Sequence, residues 1–395
     1  MHPQLSTFWF LYMAGLGIFF PFYSLHLSQG LGLTGTQVGL VMSCLPLVGL
    51  VAQPLWGQIA DRTGSRRRVL ALLVLGVACG NLWLGFLDTF AAVLLGTAAL
   101  ALFSTAALPM ATAVTLAAQS KTGASAFGFV RMWGTLGFLA AVVAFPRLLE
   151  GLGDAAWGPW RGLGWMFPAV AVASLGAVGL ALALPRSRAL EIRSHPGDVG
   201  RLMRHRPVPL LLGFLFAAHL CLQGPINLFP LLITERGGDA ASIGDMWVFM
   251  LLLEIPLIGF SGPVLRRLGP RGLLTLGLLA EGIRWSACAV VDDLAILRWL
   301  QLLHGVGVAG VIVGGPLYLE LAVPERLRAT GQTFVSTLGF GLGAIISISA
   351  GGWLFEHVGP AAPYSVCGAG ALVLAALVFV VLPEPWRPDE EALDD

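Results

Sequence analysis

The first sixty residues of the chain, Met1 to Ala60, contain no Asp, Glu, Lys or Arg. A soluble chain has about 25% charged residues, whereas this one has 11% and is 56% hydrophobic. A helix of about 20 apolar residues is enough to cross the ~30 Å hydrocarbon layer of a bilayer. The sequence therefore excludes a water-soluble globule and indicates a polytopic membrane protein.

The remaining composition excludes two further classes of protein. The five cysteines stand singly in apolar stretches without a CxxC pair, so a disulfide-stapled secreted scaffold is excluded. The chain has 23 basic and 22 acidic residues, and this near-neutral balance predicts no nucleic-acid partner.

Recurring uncharged stretches predict twelve membrane helices. The polar, glycine-rich segment 29–37 divides the first run into two, and continuous apolar runs favour helices over the alternating strands of a barrel. The fold class is therefore predicted to be an all-α polytopic membrane protein with twelve transmembrane helices. The predicted spans, numbered 1 to 12, are 6–27, 37–59, 69–87, 90–118, 126–149, 163–184, 209–232, 242–264, 271–290, 293–322, 328–354 and 362–382.

The basic residues predict how the chain is oriented in the membrane. The loops after the even-numbered spans and the C-terminus contain seventeen of the 23 basic residues, and the opposite loops contain four. Cytoplasmic loops are enriched in Lys and Arg. Both termini are therefore expected in the cytoplasm, and the protein is expected in the cytoplasmic (inner) membrane.

Two sequence repeats predict two related halves. Gly57, Arg62, Gly64 and Arg66 recur 205 residues later as Gly262, Arg267, Gly269 and Arg271. The tetrapeptide 135–138, Thr-Leu-Gly-Phe, recurs 202 residues later at 337–340. Parallel six-helix repeats indicate a transporter with its substrate site between two pseudo-symmetric bundles. The predicted domains are an N-terminal bundle, 1–184, a cytoplasmic linker, 185–208, and a C-terminal bundle with a short tail, 209–395.

The segment 57–68, with the sequence GQIADRTGSRRR, resembles the loop motif between helices 2 and 3 of the major facilitator superfamily. The stretches 20–24, 129–134, 253–256, 282–285 and 301–305 are similar to the branch that contains phenylpropionic acid transporters. That branch is related to lactose permease and to nucleoside–proton symporters. The resemblance implies a twelve-helix transporter that takes up a small solute with protons.

The loop motif implies a gate on the cytoplasmic side, formed by Gly57, Asp61, Arg62 and Gly64. Gly57 would let the end of span 2 approach a neighbour closely. Asp61 would face a helix N-terminus and Arg62 would pair across the interface between the halves. A solvated basic loop that only sets topology is the alternative. The second copy has Arg266 in the place of Asp61.

Charged residues inside predicted spans are the candidates for proton coupling, because a charge in the bilayer needs a partner or a wet cavity. Glu254 in span 8, Arg284 in span 9 and His304 in span 10 match an acid, an arginine and a histidine around the site of the resembled permease. If a proton is carried, Glu254 is the predicted carrier and Arg284 would drive its release. Alternatively, Glu281 and Arg284, spaced i,i+3, would simply neutralise each other.

Four residues are candidates for substrate binding. Arg131 in span 5 corresponds to a substrate-binding arginine of the family, and its guanidinium suits a carboxylate. His219, Gln223 and Asn227 form a polar stripe along span 7 by their i, i+4, i+8 spacing, which predicts either a cavity lining or hydrogen bonds between helices.

These residues predict a secondary transporter rather than an enzyme. The sequence has no HExxH, GxSxG or P-loop pattern and no spacing for metal ligands, so neither metal nor cofactor is expected and the proton gradient is the energy source. Two acids of the resembled permease fall at Gly307 and near Thr112, which disfavours galactosides. The predicted solute is an aromatic carboxylate, moved by a monomer that interacts only with its solute, protons and lipid. The alternatives are a drug/proton antiporter and a nucleoside or sugar symporter.

Overall fold

The computed structural model describes residues 3–118, 124–184, 198–204, 206–259, 261–323 and 325–385. Eleven helical stretches in these ranges are long and apolar enough to cross a membrane. They correspond to all the predicted spans except span 8, and they keep those span numbers below. Their bounds are Pro3–Gly30, Gly35–Thr63, Arg66–Leu84, Phe90–Ala118, Phe129–Leu152, Gly162–Ala183, Pro207–Glu235, Arg267–Val290, Leu294–Ala322, Thr330–His357 and Ala362–Val381.

Span 8 lies on the helix Ala240–Gly259, and its predicted range of 242–264 includes residue 260, which is outside the described residues. Of the predicted linker, Asp198–Arg204 is a short helix and span 7 already begins at Pro207. The rest of that linker, 185–197 and residue 205, lies outside the described residues, as does most of the predicted C-terminal tail. The all-α fold class is confirmed, and a helix now stands at each of the twelve predicted positions.

Three spans contain a π-helical turn. Span 1 ends in one at His26–Gly30, span 10 contains one at Val308–Val313, and span 11 contains one at Ser336–Gly343. A π-helical turn inserts one extra residue into the helix and is frequent at functional sites. The turn in span 11 is rich in glycine, which weakens the regular α-helical register.

The described residues group into two compact units. Unit 1 takes its residues from Met1–Leu190 and Asn227–Val248, and unit 2 takes them from Glu191–Ile226 and Phe249–Asp395. One boundary therefore falls within span 7, after Ile226, so the last third of this helix and the first part of the helix of span 8, residues 240–248, belong to unit 1.

In unit 1, span 1 crosses span 5 at two glycines. A Cβ built on Gly137 would overlap the backbone carbonyl of Phe10, and one on Gly17 would overlap that of Phe138. Apolar side chains gain little by leaving lipid for another helix, so membrane helices associate through close packing at small residues. These two glycines therefore determine how closely the two helices approach.

Unit 2 repeats this crossing between spans 7 and 11. A Cβ on Gly339 would lie 2.8 Å from the His219 ring, and one on Gly224 would lie 2.5 Å from the backbone carbonyl of Ser347. Gly137 and Gly339 are the glycines of the two Thr-Leu-Gly-Phe repeats. The repeated tetrapeptide thus marks the same helix crossing in each half of the chain.

The repeated loop glycines also share a structure. Gly64 and Gly269 have left-handed backbones, with φ of 61° and 64°, which glycine adopts without steric cost. An arginine shortly after each glycine then donates to the carbonyl at the C-terminal end of span 6 or of span 12. Arg67 Nη1 donates to Leu184 O at 3.1 Å, and Arg271 Nη1 donates to Leu382 O at 3.3 Å.

Short polar side chains set the start of two helices in the predicted external loops. Asp239 Oδ1 accepts from Ser242 N at 2.8 Å and from its hydroxyl at 2.7 Å, and these hydrogen bonds lower the pKa of Asp239. Asp293 Oδ1 accepts from Ala295 N at 2.7 Å and from Ile296 N at 3.3 Å. Each carboxylate satisfies backbone donors that the first helical turn leaves unpaired.

We expect Gly137→Ala to destabilise unit 1 by about 1–3 kcal/mol, because the new methyl group would overlap the Phe10 backbone rather than a movable side chain. Thermal unfolding in detergent measures this effect. Gly179→Ala in span 6 is the matched control, since a Cβ there meets no atom of the described residues within 4 Å. Equal unfolding temperatures for the two variants would contradict the role assigned to the crossing.

Candidate functional site

A cluster of polar side chains lies inside unit 2, between spans 9 and 10. Glu281 Oε2 accepts from Arg284 Nη2 at 2.7 Å and from Nε at 3.0 Å. The other carboxylate oxygen, Oε1, lies 3.3 Å from Nδ1 of His304. Arg284 Nη1 donates to Gln301 Oε1 at 3.2 Å. Four side chains from two helices thus form one hydrogen-bonded group, which we call the acid cluster.

The arginine of the acid cluster is held on every side. Its side chain is 1% exposed, and its guanidinium carbon lies 3.7 Å from the centre of the Trp285 ring. Gln301 is itself fixed, because its Nε2 donates to Leu297 O at 2.9 Å. Arginine suits such a site because its planar guanidinium stacks on an aromatic face while its edge donates hydrogen bonds.

Glycines in span 10 make room for the acid cluster. A Cβ on Gly307 would overlap the carboxylate of Glu281, and one on Gly305 would lie 2.6 Å from the backbone nitrogen of Glu254. Span 10 can therefore touch both the acid of span 9 and the backbone of span 8. The π-helical turn Val308–Val313 begins directly after Gly307.

Arg284 and His304 both contact Glu281, which the sequence offered only as a partner that would neutralise Arg284. That Glu254 carries the proton stays a prediction. Glu254 is half-buried in span 8, with its backbone against Gly305. Glu281 has hydrogen bonds to both Arg284 and His304.

Arg131 lies in unit 1 and stacks on a tryptophan. Its guanidinium carbon is 4.7 Å from the centre of the Trp9 ring in span 1, and the Trp9 indole donates to Thr115 Oγ1 in span 4 at 2.9 Å. Gly134, one turn after Arg131, has no side chain, and a Cβ there would lie 3.2 Å from Arg131 Nη1. Trp9 is fully buried, so its ring holds the guanidinium of the half-buried Arg131 in place.

The three residues of the predicted polar stripe on span 7 have different surroundings. The His219 ring is buried, with Nδ1 2.8 Å from Leu215 O and its centre 4.4 Å from the Phe340 ring. His219 therefore takes part in the crossing with span 11. Gln223 is half-buried in unit 2, and Asn227 is buried and belongs to unit 1.

The predicted gate residues lie at the end of span 2. Asp61 Oδ1 accepts from Arg66 Nη2 at 3.2 Å, and Arg62 is exposed. Gly64 provides the left-handed turn that separates spans 2 and 3. A Cβ on Gly57 would meet no atom of the described residues within 4 Å, so the close approach predicted for this glycine is not made here.

Three contributors to these sites were not singled out from the sequence. Gln301 lies in the stretch 301–305 that carries part of the family resemblance, and Trp9 and Trp285 are the aromatic partners of the two arginines. Trp285 directly follows Arg284, so its adjacency could have suggested it, whereas Trp9 is 122 residues from Arg131. Among the described residues, no group of three or more His, Cys, Asp or Glu side chains could hold a metal ion.

The buried ion pair of the acid cluster gives a stability prediction. We expect Glu281→Ala and Arg284→Ala each to cost about 3–5 kcal/mol, because each leaves a buried charge without its partner. The double variant should cost less than the sum of the two, as thermal unfolding in detergent would measure.

The surface ion pair of Asp61 and Arg66 is the matched control for this double-mutant cycle. We expect its coupling free energy to be at most about 1 kcal/mol. Strictly additive costs for Glu281 and Arg284 would contradict a mutual dependence of the two charges.

Comparison with known proteins assigns the chain to a family. The family model described as "MFS_1 like family" matches residues 2–366. The maltose permease of Geobacillus stearothermophilus is 32% identical over 386 residues, which cover 94% of this chain and 93% of that protein. The "Probable 3-phenylpropionic acid transporter" of Escherichia coli (strain K12) is 26% identical, with coverage of 95% and 96%.

A crystal structure of the nucleoside transporter NupG has the same fold, with a TM-score of 0.82 at 17% identity over 96% of this chain and 99% of that one. The match of the family model extends over nearly the whole chain, and the similarity to the permeases is equally extensive. The chain therefore belongs to the MFS_1-like family of the major facilitator superfamily, and it is a multi-pass membrane transporter of sugars or other small organic molecules rather than an enzyme.

Proposed function

We propose that this transporter is a proton-coupled symporter whose proton is carried by Glu281 of the acid cluster. The observation that supports the proposal is the position of one buried carboxylate between a permanent cation, Arg284, and a titratable ring, His304. A charge within the bilayer is costly and marks ion and proton pathways in transporters.

The two partners of Glu281 would have different tasks. Arg284 stabilises the ionised carboxylate and so favours release of the proton. Histidine can accept or donate a proton near neutral pH, and His304 is the more accessible member of its pair, at 15% exposed against 4% for Glu281. His304 would therefore pass the proton between the carboxylate and a wetter region.

Protonation of Glu281 would change how spans 9 and 10 hold together. A neutral carboxyl group loses its ionic attraction to Arg284, while its oxygen still lies against the backbone at Gly307. Contacts that differ between two protonation states bias a conformational equilibrium by the difference in their free energies. Since a π-helical turn starts at Val308, span 10 has an irregular backbone next to the charge that changes.

We infer that the solute is a neutral saccharide of the glucoside class. The similarity to a maltose permease over nearly the whole length of both chains supports this class. Arg131 offers donors that a sugar requires, since guanidinium N–H groups bind hydroxyls, and the buried Trp9 ring holds this guanidinium in place.

An aromatic carboxylate is the second candidate, and Arg131 favours it as well. A guanidinium binds a carboxylate with two parallel hydrogen bonds. The similarity to the Escherichia coli protein supports this class over the whole chain at a lower identity.

Glu281→Gln is expected to abolish solute accumulation driven by a pH gradient, because the amide carries no exchangeable acid proton. Solute counterflow should be retained, since exchange of bound solute requires no net proton movement. Uptake into reconstituted vesicles, with and without a protonophore, measures both activities. Glu254→Gln is the matched variant, because it removes the acid predicted from the sequence; loss of accumulation in this variant alone would contradict the assignment to Glu281.

A displaced carboxylate provides a gain-of-function test of the same assignment. A Cβ on Gly307 would overlap the carboxylate of Glu281, so Asp at 307 would place its own carboxylate close to the vacated position in Glu281→Ala. We expect Glu281→Ala/Gly307→Asp to regain gradient-driven uptake that Glu281→Ala lacks. An inactive double variant that retains counterflow would count against a role for carboxylate position.

Vesicles with an acidic exterior distinguish the solutes and the direction of transport. We expect labelled maltose to accumulate and a protonophore to prevent it. Accumulation of 3-phenylpropionate without maltose, corrected for protein-free vesicles, would favour the second candidate. Loss of preloaded solute under the same gradient would overturn symport in favour of antiport.

A further inference from the structure

A serine from span 11 enters the backbone hydrogen bonding of span 7. In a regular α-helix, the N–H of Gly224 donates to the carbonyl of Leu220, four residues earlier. Here Gly224 N donates to Ser347 Oγ at 2.6 Å, and Ser347 Oγ donates to Leu220 O at 2.7 Å. The hydroxyl therefore bridges the donor and the acceptor of one helical hydrogen bond, and side chains inserted in this way cause helices to kink.

The next residue weakens the same turn of span 7. Pro225 has no N–H, so the carbonyl of Cys221 has no donor four residues later in the helix. Span 12 contributes two further contacts to this turn, because Cys367 Sγ lies 3.6 Å from Leu220 O and the Tyr364 hydroxyl donates to Pro225 O at 3.3 Å. Of two successive helical hydrogen bonds, one is thus bridged by a serine and the other is missing.

We call residues 220–225 the span 7 break. A Cβ on Gly224 would lie 2.9 Å from Ser347 Oγ and 2.5 Å from the backbone carbonyl of Ser347, so the glycine gives the hydroxyl access to the backbone. Ser347 is 6% exposed and Tyr364 is fully buried. Backbone groups freed by glycine or proline in a membrane helix must be satisfied by such neighbours, and these two hydroxyls therefore stabilise the conformation of the break.

The break directly precedes the point at which span 7 passes from unit 2 to unit 1. Residues up to Ile226 belong to unit 2, and the helix from Asn227 onward belongs to unit 1. Hinges are a few residues that absorb a change of backbone direction between separately packed parts of a chain. The N–H of Gly224 has two possible acceptors, Ser347 Oγ and Leu220 O, so this turn has two arrangements that each satisfy the backbone.

A continuous series of contacts joins the break to the acid cluster. The guanidinium carbon of Arg284 lies 3.7 Å from the centre of the Trp285 ring. That ring packs on Tyr364, with centres 5.7 Å apart and planes tilted by 56°, and the Tyr364 hydroxyl bonds to Pro225. Because close-packed buried rings do not move independently, a shift of Arg284 when Glu281 loses its charge would displace this hydroxyl.

We propose that residues 220–225 are a hinge in span 7, that Ser347 and Tyr364 are positioning residues that latch it, and that Trp285 couples the latch to the charge of Glu281. The coupling rests on the proposed function, in which this charge changes during transport, whereas the hinge and its latch do not. The latch consists of two directional hydrogen bonds, which a small displacement of either hydroxyl would break.

The alkylation rate of Cys367 in the full-length chain measures the hinge, because this half-buried thiol lies against the backbone of the break. We expect Ser347→Ala to raise the rate of labelling by N-ethylmaleimide about fivefold, the effect of losing one buried hydrogen bond. The exposed Cys79 of span 3 is the internal reference and should keep its rate. An unchanged rate at Cys367 in a folded Ser347→Ala variant would overturn the latch.

A double-mutant cycle measures the coupling. Glu281→Gln, which imitates the protonated acid, should raise the labelling of Cys367, and it should have no such effect in the Tyr364→Phe background. Tyr364→Phe should also lower the accumulation of labelled maltose under a pH gradient about fivefold, with counterflow retained. Tyr318→Phe is the matched control, since this buried hydroxyl also donates to a proline carbonyl, that of Pro383, at 2.6 Å, and it should leave all three measurements unchanged.

The outcomes separate this inference from the proposed function. If Glu281→Gln raises the labelling equally with Tyr364 and with Phe at that position, the coupling is refuted and the symport proposal stands. If Glu281→Gln accumulates solute like the wild type, the proposed function and the coupling both fail, and Ser347→Ala still decides the latch. Both latch variants remove a single oxygen atom, and thermal unfolding in detergent confirms that each is folded.

Discussion

In each unit, the backbone of one helix lies directly against a glycine of another, and the rest of the packing depends on these contacts. Gly137 meets the backbone of Phe10 in unit 1, and Gly224 meets the backbone of Ser347 in unit 2. Lipid is as apolar as the side chains it surrounds, so the hydrophobic effect does not hold such helices together. Close backbone approach replaces it, and any larger residue at these positions would force the helices apart.

The same use of glycine makes a charged interior possible. Gly307 leaves the space that the Glu281 carboxylate fills, so the acid of span 9 can reach both Arg284 and His304. A buried ion pair adds little net stability when it replaces apolar packing. Its retention in a membrane helix therefore fits a role in function rather than in folding.

Each unit also places an arginine on a tryptophan. Arg131 stacks on Trp9 in unit 1 and Arg284 stacks on Trp285 in unit 2. A guanidinium is weakly hydrated and can lie against an aromatic face while its edge still donates hydrogen bonds. The edge of Arg284 is used within the protein by Glu281 and Gln301, whereas the guanidinium of Arg131 is the proposed contact for a solute.

The sequence by itself determined the membrane class, the positions of the spans and the duplication, because the cost of burying charge in lipid fixes where charged residues can occur along a chain. It also identified Arg284 and His304 as candidates for proton coupling. The tertiary structure decided that Glu281 contacts both and that Trp9 supports Arg131. These facts depend on which helices cross at a glycine and on the direction of each side chain. Spacing along one helix specifies only neighbours on that helix, so contacts between helices could be read only from the folded chain.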